Sequence, residues 1–442
     1  MTSNLPAVPA GVLLLGAMIL ALPAQVGAQG ALSTAVDRQV DAVIPKVVAW
    51  RRDIHEHPEL GNREFRTAKL VAEHLRALGI EVRTEVGHTG VVGVLKGGRP
   101  GRVVALRADM DALPVTEQVD LPFRSVVRTI FNGQEVGVMH ACGHDNHVAI
   151  LMGVAEVLSK VKDQLPGTVK FIFQPAEEGP PAGEEGGAAL MLKEGAFENP
   201  RPNAVFGLHV WPNEVGTIGY RSGPLMAAAD GLDIVVKGRQ THGAQPWGGI
   251  DPIVISSQIV LALQTIASRQ VDVTNVPVII TVGMFQSGNR GNIIPDSVVM
   301  QGTVRTFDET IRQDVHDRIR RTVESIAASA GATATVSFGS AGAVTYNDPA
   351  LTEQMLPTLQ RVAGIDRVNV APLSTPAEDF AAFQKVVPGV FFFLGVTPKG
   401  VDLKTVSRNH SPFFFADEAA LPVGVKALAH LAVDYLSQGS TP

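Results

Sequence analysis

The feature that most constrains the fold is an alternation of short apolar runs with helical stretches. Apolar residues recur at helical spacing over residues 36–47, 65–78 and 146–161. Runs that are apolar on both faces, typical of buried strands, cover residues 89–95, 102–107, 168–173, 204–210 and 389–396. Strands buried on both faces that alternate with helices predict an α/β fold, with a mostly parallel sheet sandwiched by helices.

The pattern of predicted strands and helices changes near residue 229. The pattern predicts a strand, a helix, two strands, a helix and a strand, at residues 231–237, 252–269, 278–285, 297–305, 309–330 and 333–338. This order is that of a ferredoxin-like α+β module. We therefore predict an inserted domain over residues 229–340, with the larger domain formed by residues 29–228 and 341–442.

The first residues resemble an export signal. No charged residue precedes Asp37, and residues 11–22 form a continuous apolar run. This run is shorter than the roughly 20 residues that span a bilayer, but it suits the core of a signal peptide, with small residues before Gln29 for cleavage. We expect residues 1–28 to be a signal peptide and the protein to be periplasmic or secreted. Because the first ten residues lack Lys and Arg, an uncleaved membrane anchor is the alternative.

Composition excludes several classes of protein. With 45% hydrophobic and 18% charged residues, the chain is globular rather than disordered. Its 37 basic and 43 acidic residues give a net charge of -6, which offers no basic surface for nucleic acid. The single cysteine, Cys142, excludes an intramolecular disulfide and a lipid anchor near the leader.

Polar side chains gather where the predicted strands end. Asp111, the adjacent Glu177 and Glu178, and His209 each follow or end a strand, at the edge where open α/β sheets bind ligands. The densest polar cluster is MHACGHDNH at 139–147. Its cysteine and the histidine two residues later can reach one centre from a loop, whereas on a helix they would diverge. A thiolate and an imidazole suit zinc or another first-row divalent ion.

Each of these residues also has an ordinary structural explanation. Paired glutamates are often a solvated face, His209 can be a core histidine, and His410 can be an unpartnered loop residue. The Asp109-Met-Asp111 segment can simply cap a helix. These explanations do not account for the gathering of good metal ligands at one sheet edge. Two adjacent glutamates can also divide the work, since one can bind a metal while the other deprotonates a water molecule.

Several motifs occur in a characteristic order. They are RADMDALP (107–114), MHACGHDNH (139–147), FQPAEEG (173–179), GLHVWP (207–212), THGAQP (241–246), NIIPD (292–296), GTVRTF (302–307) and NHSPFF (409–414). Together they resemble the co-catalytic metallopeptidase family that includes aminoacylases, carboxypeptidase G and succinyl-diaminopimelate desuccinylase. The MHACGHD form resembles its amidohydrolase branch, which contains hippurate hydrolases, N-acyl-amino-acid amidohydrolases and auxin-conjugate hydrolases. The resemblance covers residues 41–437.

The resemblance implies a centre with two divalent metal ions per subunit, which could be Zn, Mn or Co. Cys142 would bridge the ions, His144 and His209 would complete one site, and Glu178 with His410 would complete the other. It further implies that Glu177 is the general base and that Asp111 orients a ligand.

The resemblance also implies roles for the inserted domain, as a lid and dimer interface. His242 would reach the site of the partner subunit, although from the residues alone it could be an exposed loop histidine. Asn292 and Arg305 would hold the substrate carboxylate, and the planar guanidinium of Arg305 suits that role. A surface arginine on an edge strand is the alternative for Arg305.

We therefore predict an exported, metal-dependent hydrolase that cleaves the amide of N-acyl amino acids or similar small conjugates. We expect it to be a homodimer that binds no nucleic acid and contacts membrane only through an uncleaved leader. A dipeptidase or carboxypeptidase of the same family is the alternative. A catalytically inactive binding protein is a further one, but it would show a replaced Glu177 or an incomplete ligand set. The acyl group, the metal and whether His242 acts within one chain are left open.

Overall fold

The computed structural model of this chain describes the backbone of residues 22–438 and the side chains of residues 30–339 and 342–438. Residues 1–21 of the predicted signal peptide lie outside the described residues. Its last residues, 22–28, are continuous with the first helix.

Helices make up the outer layers of the structure. Over the described residues the α-helices are α1 (Leu22–Glu56), α2 (Phe65–Ala77), α3 (His144–Lys160), α4 (Gly187–Lys193), α5 (Pro252–Thr265), α6 (Glu309–Ser329), α7 (Pro349–Ala363), α8 (Phe380–Gln384) and α9 (Leu421–Gln438). The segment Glu418–Gln438 is long and apolar enough to cross a membrane, but 78% of its apolar window is buried within the protein. Its apolar composition is therefore explained by its position as a helix in the protein core.

The first ten strands run from the start of the larger sheet into the inserted module. They are β1 (Glu81–Val86), β2 (Gly90–Lys96), β3 (Arg99–Asp109), β4 (Arg128–Phe131), β5 (Gln134–Gly137), β6 (Pro166–Gln174), β7 (Ala204–Glu214), β8 (Ile218–Tyr220), β9 (Gly223–Met226) and β10 (Ala228–Lys237). The later ones are β11 (Thr241–His242), β12 (Ile279–Ser287), β13 (Ile293–Ile294), β14 (Ser297–Thr306), β15 (Thr333–Gly342), β16 (Thr345–Asn347), β17 (Val368–Val370) and β18 (Gly389–Thr397).

The larger sheet has the order β1-β2-β6-β3-β7-β18-β8-β17. Its central strands β6, β3, β7 and β18 pair in parallel, while β1, β2 and the β18–β8 contact are antiparallel. Successive residues of β18 face opposite cores, with Phe392 packed on the side of α1, α3 and α9 and Phe391 and Phe393 on the side of α4 and α8. Burial on both faces explains the continuous apolar runs, and the predicted α/β fold class is confirmed.

The smaller sheet has the order β12-β14-β10-β15 and is antiparallel throughout. Alternate residues of β10, such as Leu232 and Ile234, are buried against α5 and α6, which cover one face. This order of strands and helices is the predicted ferredoxin-like one. Because Ala229 of β10 pairs with Arg305 of β14 at the start of the module, both residues lie next to the larger domain.

Candidate metal centre

A glycine turn brings Cys142 and His144 to one centre. Helix α3 begins at His144, and the preceding Gly143 has a φ of 92°. A side chain at that position would lie 2.4 Å from a methyl carbon of Val210, so glycine is required by both the backbone and the space. The turn places Cys142 before the helix rather than on it. The two side chains therefore do not diverge as they would if both residues lay on one helix.

Five side chains form two donor groups that share one thiol. Cys142, His144 and His209 make one group, and Cys142, Glu178 and His410 make the other. Within each group the donor atoms lie within 4.8 Å of one another. The Cys142 Sγ is 3.4 Å from the His209 Nε2, and the His410 Nε2 is 3.0 Å from a Glu178 oxygen. These are the five residues to which the resemblance assigned metal binding, and the structure brings them together.

Hydrogen bonds orient the buried histidines toward the centre. The Nδ1 of His144 donates to the Asp111 carbonyl oxygen at 2.8 Å, and the Nδ1 of His209 donates to the Val210 carbonyl oxygen at 2.7 Å. In the neutral form that binds a metal, each ring therefore presents the lone pair of its Nε2. The Nε2 of His144 is buried and, among the described residues, has no hydrogen-bond partner. A bound cation would satisfy this atom.

The centre carries an excess of negative charge. Burial, together with Glu178 and Glu177, raises the pKa of Cys142 well above its ordinary value. Burial, Glu378 and Glu178 likewise raise the pKa of Glu177. Burial alone would lower the pKa of His144, but nearby carboxylates outweigh it and raise that pKa to about 10. Raised pKa values at these three groups mean that the site favours bound positive charge, whether as protons or as metal ions. Its thiol, imidazole and carboxylate donors fit divalent ions of the first transition row.

Asp111 holds parts of both donor groups in place. Its backbone oxygen accepts from His144, and its Oδ2 accepts from the backbone N–H of Glu178 at 2.9 Å. Ahead of the glutamates, Ala176 has a φ of 51°, and its N–H donates to a buried Glu64 oxygen at 2.8 Å. Asp111 therefore contacts His144 and Glu178, and its role in orienting a metal ligand stays a prediction.

Two further polar residues of the 139–147 cluster, Asp145 and His147, brace the centre. His147 donates from Nδ1 to Asp109, and its Nε2 accepts from the Val210 N–H at 2.8 Å. Both nitrogens of His147 are therefore used, although the ring lies near His144 and Asp109. Asp145 pairs with Arg51 of α1 at 2.8 Å. These contacts fix the start of α3 against its surroundings.

Sequence reasoning missed a buried ionic network behind Glu177. Arg107 is fully buried in β3 and donates to Asp109, Glu378, Asp379 and Gln174 at 2.7 to 3.0 Å. The signal was available, since a charged residue within an apolar strand must find partners when it is buried. Its acidic partners 378 and 379, however, are distant in sequence and lie in none of the recognised motifs.

Arg305 lies in the same cavity as the donor groups. This cavity has a volume of about 370 Å³ and is lined by Cys142, Glu177, His209 and His410 together with Arg305. Burial lowers the pKa of the Arg305 guanidinium, because the charged form is destabilised when it is held partly out of water. An anionic group of a substrate would offset that cost.

His242 and Asn292 lie elsewhere. They line a separate cavity of about 530 Å³ together with Arg290, and the Asn292 carbonyl accepts from the Gly243 N–H at 2.8 Å. A single chain therefore does not bring these two residues to the metal centre. The action of His242 in the site of a partner subunit stays a prediction. Asn292 does not line the cavity of Arg305, with which it was expected to hold the substrate carboxylate.

Comparisons with known proteins agree with this chemistry. A family model described as Peptidase family M20/M25/M40 matches residues 105–434. Thermostable carboxypeptidase 1 of Saccharolobus solfataricus is 44% identical over 394 residues, covering 88% of this chain and 95% of that protein. N-acetylcysteine deacetylase of Bacillus subtilis is 39% identical over 391 residues, covering 88% and 96%.

A solved structure is similar over nearly the same length. The Bacillus subtilis YXEP protein, described as a dinuclear metal binding peptidase from the M20 family, has a TM-score of 0.74 and 38% identity. The match covers 90% of this chain and 99% of that one. The resemblance that the ordered motifs indicated is confirmed by these matches.

Proposed function

Since this chain belongs to peptidase family M20/M25/M40, a family of amide-bond hydrolases, we propose that it is a metal-dependent amidohydrolase of N-acyl amino acids. The observation that carries the proposal is the pair of donor groups sharing Cys142, with Glu177 beside them and Arg305 in the same cavity. The relative named N-acetylcysteine deacetylase supports the choice of an acylated amino acid as substrate.

The donor groups would hold two divalent ions. Cys142, His144 and His209 would hold one, and Cys142, Glu178 and His410 the other. When bound, such ions polarise the amide carbonyl and make a water molecule more acidic. The similarity to a dinuclear metal binding peptidase supports this assignment.

Glu177 acts as the general base and then as the general acid. Its carboxyl group is close to His144 and Glu178 but belongs to neither shared-thiol group. Burial and neighbouring carboxylates raise its pKa, so this carboxyl group holds a proton more strongly than an exposed glutamate does. It takes a proton from the attacking water and gives it to the leaving amine.

Arg305 holds the carboxylate of the amino acid. Its guanidinium lines the cavity from β14, on the side of the inserted module, and presents a planar fork suited to two parallel hydrogen bonds. The amide carbonyl is then directed toward the donor groups.

The decisive experiment removes the base without removing the metals. Glu177→Gln should lower kcat for an N-acyl amino acid by about 10²–10⁴-fold, because an amide cannot accept the proton. Metal content, measured by mass spectrometry of the metal-loaded protein, should stay near that of the unaltered protein. Glu185→Gln, an exposed residue paired with Lys193, is the control and should keep full activity. Protein that binds two ions but cleaves no N-acyl amino acid or dipeptide would refute the proposal.

A carboxypeptidase is the second candidate, favoured by the relative named thermostable carboxypeptidase. Both substrate types would place a carboxylate at Arg305, so the group on the other side of the amide separates them. Parallel assays with N-acyl amino acids and with dipeptides that carry a free α-amine distinguish the two. Greater turnover of the dipeptides would favour the second candidate.

We also propose that the protein is exported. The support is the apolar run at residues 11–22, followed by small residues before Gln29. Expression with fractionation of the cells, and the mass of the mature protein, tests this. A full-length protein that stays in the cytoplasm would contradict it.

A further inference from the structure

A second cavity adjoins the metal centre. It has a volume of about 480 Å³, and Trp211, Pro376 and Asn409 line both it and the cavity that contains the donor groups. Asn409 also donates to the Cys142 carbonyl oxygen at 3.0 Å, so this shared wall is held directly on the metal centre. We call this space the outer cavity.

Each of the two cavities is lined by one arginine. Arg305 lines only the inner one, and Arg408 lines only the outer one. In the proposed function, the substrate carboxylate lies at Arg305 and the amide lies beside Glu177. The acyl group on the far side of the amide then extends past Trp211 into the outer cavity.

The outer cavity has an aromatic wall. The ring of Trp211 stacks on that of Phe393, with centroids 4.4 Å apart and planes 24° apart. Trp211 also meets the ring of His209 edge-on at 5.7 Å, which connects this wall to a residue of the donor groups. Leu373 and Pro372 add apolar surface. A flat aromatic wall with apolar neighbours suits a planar ring, since offset-stacked rings gain attraction beyond the burial of their area.

The polar side of the outer cavity is cationic. No Asp or Glu is among the described residues that line this cavity. Within the described part of the chain, Arg408 makes no ion pair with a carboxylate. A guanidinium next to an apolar wall favours a planar anion such as a carboxylate, which it can bind through two hydrogen bonds. Asn213 and Ser374 line the same cavity and can donate further hydrogen bonds.

We propose that the preferred acyl group is an aromatic ring with an acidic substituent. Trp211 stacks on the ring, and Arg408 pairs with the acid. This inference rests on the proposed amidohydrolase function and names the acyl class that the function leaves open.

A substrate series tests the inference with the metal-loaded full chain. The amino acid that is cleaved best is kept constant, and the acyl group is acetyl, benzoyl or 4-carboxybenzoyl. We expect kcat/KM to rise from acetyl to benzoyl and again to 4-carboxybenzoyl, the last step by about twofold to fivefold, the range of an exposed ion pair. Because the last step is electrostatic, it should shrink in about 0.5 M salt.

Variants assign each step to a residue. Arg408→Gln should bring the ratio of kcat/KM for 4-carboxybenzoyl over benzoyl down to about one. Trp211→Leu should reduce the ratio for benzoyl over acetyl. Lys404→Gln is the matched control, because Lys404 is an exposed cation of the same loop that does not line the outer cavity, and both ratios should be unchanged.

Binding of the free acids gives a measurement that does not depend on turnover. Titration calorimetry should show that terephthalate binds more tightly than benzoate, and that Arg408→Gln removes the difference. Equal kcat/KM for the three acyl groups, or equal binding of the two acids, would overturn the inference and leave the proposed function intact. Absence of all turnover, with terephthalate still preferred, would instead count against the proposed function.

Discussion

At the scale of single residues, Glu64 holds the turn that carries Glu177 and Glu178. One of its oxygens accepts from the Ala176 N–H at 2.8 Å, and the other contacts the Thr89 hydroxyl. Ala176 has a φ of 51°, a conformation that costs an L-residue roughly 1–2 kcal/mol and needs support from its surroundings. Glu64 is completely buried, so water cannot replace its contacts.

We expect Glu64→Ala to lower kcat by about tenfold or more while changing KM little, because a small displacement of the base slows proton transfer. Stability should fall by about 1–3 kcal/mol, since the Ala176 N–H loses its buried acceptor. Glu64→Gln should restore most of the activity, because its amide oxygen can still accept from Ala176. Steady-state kinetics and thermal unfolding check both effects.

Glu59→Ala is the control for a purely structural loss. Glu59 accepts from the Arg66 and Thr67 N–H groups at the start of α2, and these bonds lie outside the turn at 176–179. It should lower stability without lowering kcat. Equal kinetic losses in Glu59→Ala and Glu64→Ala would contradict the positioning role of Glu64.

Glu64 also predicts how stability depends on pH. Burial, and then the charge of Asp111, raises its pKa from an ordinary 4.5 to about 8. Between these values the folded protein holds a proton that the unfolded chain has released, so stability falls as the pH rises from about 5 to about 9. The melting temperature of the unaltered protein, measured relative to Glu64→Gln, should therefore decrease across this interval. A difference that stays constant or grows with pH would show that Glu64 is ionised when folded.

The candidate metal donors could be named from the sequence because they stand in local motifs with distinctive residue types. Cys142, His144 and Glu178 are examples, and the structure places them together. Glu64 and Glu378 could not be found in the same way. A buried carboxyl group looks like any surface glutamate in the sequence, and only its three-dimensional partners reveal its role.

At the scale of elements, we expect the junction between the loop and α3 to control metal binding at the candidate centre. The positive φ of Gly143 allows Cys142 to leave the helical path while His144 begins the helix. We expect Gly143→Ala to lose about 2 kcal/mol or more of stability, because the left-handed backbone and the clash with Val210 act together. Metal content per chain should fall below that of the unaltered protein, as measured by mass spectrometry.

Gly133→Ala separates the loss of metal from backbone strain. Gly133 has a φ of 76° in the turn between β4 and β5, and a side chain there would meet no atom within 4 Å. This variant should lose some stability but no metal. If Gly143→Ala kept its full metal content, the junction would not control the centre.

Long buried elements were predictable, whereas short ones were not. The strand predicted at 389–396 corresponds to β18, because a strand with two buried faces has a continuous apolar sequence. The strand predicted at 204–210 continues as β7 to Glu214, where the register with β18 rather than hydrophobicity extends it. The three-residue strands β8 and β17 are defined by pairing with strands distant in sequence, since β17 pairs with β8 and β8 also pairs with β18. Such pairing joins segments far apart in sequence and leaves no local pattern.

At the scale of the whole molecule, one chain keeps two sets of predicted functional residues apart. Glu177 and Arg305 line the cavity of the metal centre, while His242 and Asn292 line another. The inserted module also leaves apolar side chains of α5 exposed, including Val254 and Leu261. An exposed apolar helix face on this module would suit the homodimer predicted from the sequence, in which a partner would supply His242.

Mixing two inactive variants tests this arrangement. His242→Ala and Glu177→Gln homodimers should both be nearly inactive. In a heterodimer, the chain that retains Glu177 receives His242 from its partner, so one of the two sites is complete. A fully exchanged equimolar mixture contains about half heterodimers and should recover about a quarter of the unaltered activity.

Mixing Cys142→Ser with Glu177→Gln is the matched control, because both residues lie in the centre of one chain. Every site in that mixture keeps a defect, and no activity should return. Exchange is verified by mass spectrometry of differently tagged chains, so that a lack of activity cannot result from a failure of the subunits to exchange. If exchanged His242→Ala and Glu177→Gln chains also stay inactive, His242 cannot complete a neighbouring site. In that case the inserted module would have to move within one chain, so that His242 reaches the Glu177 of the same chain.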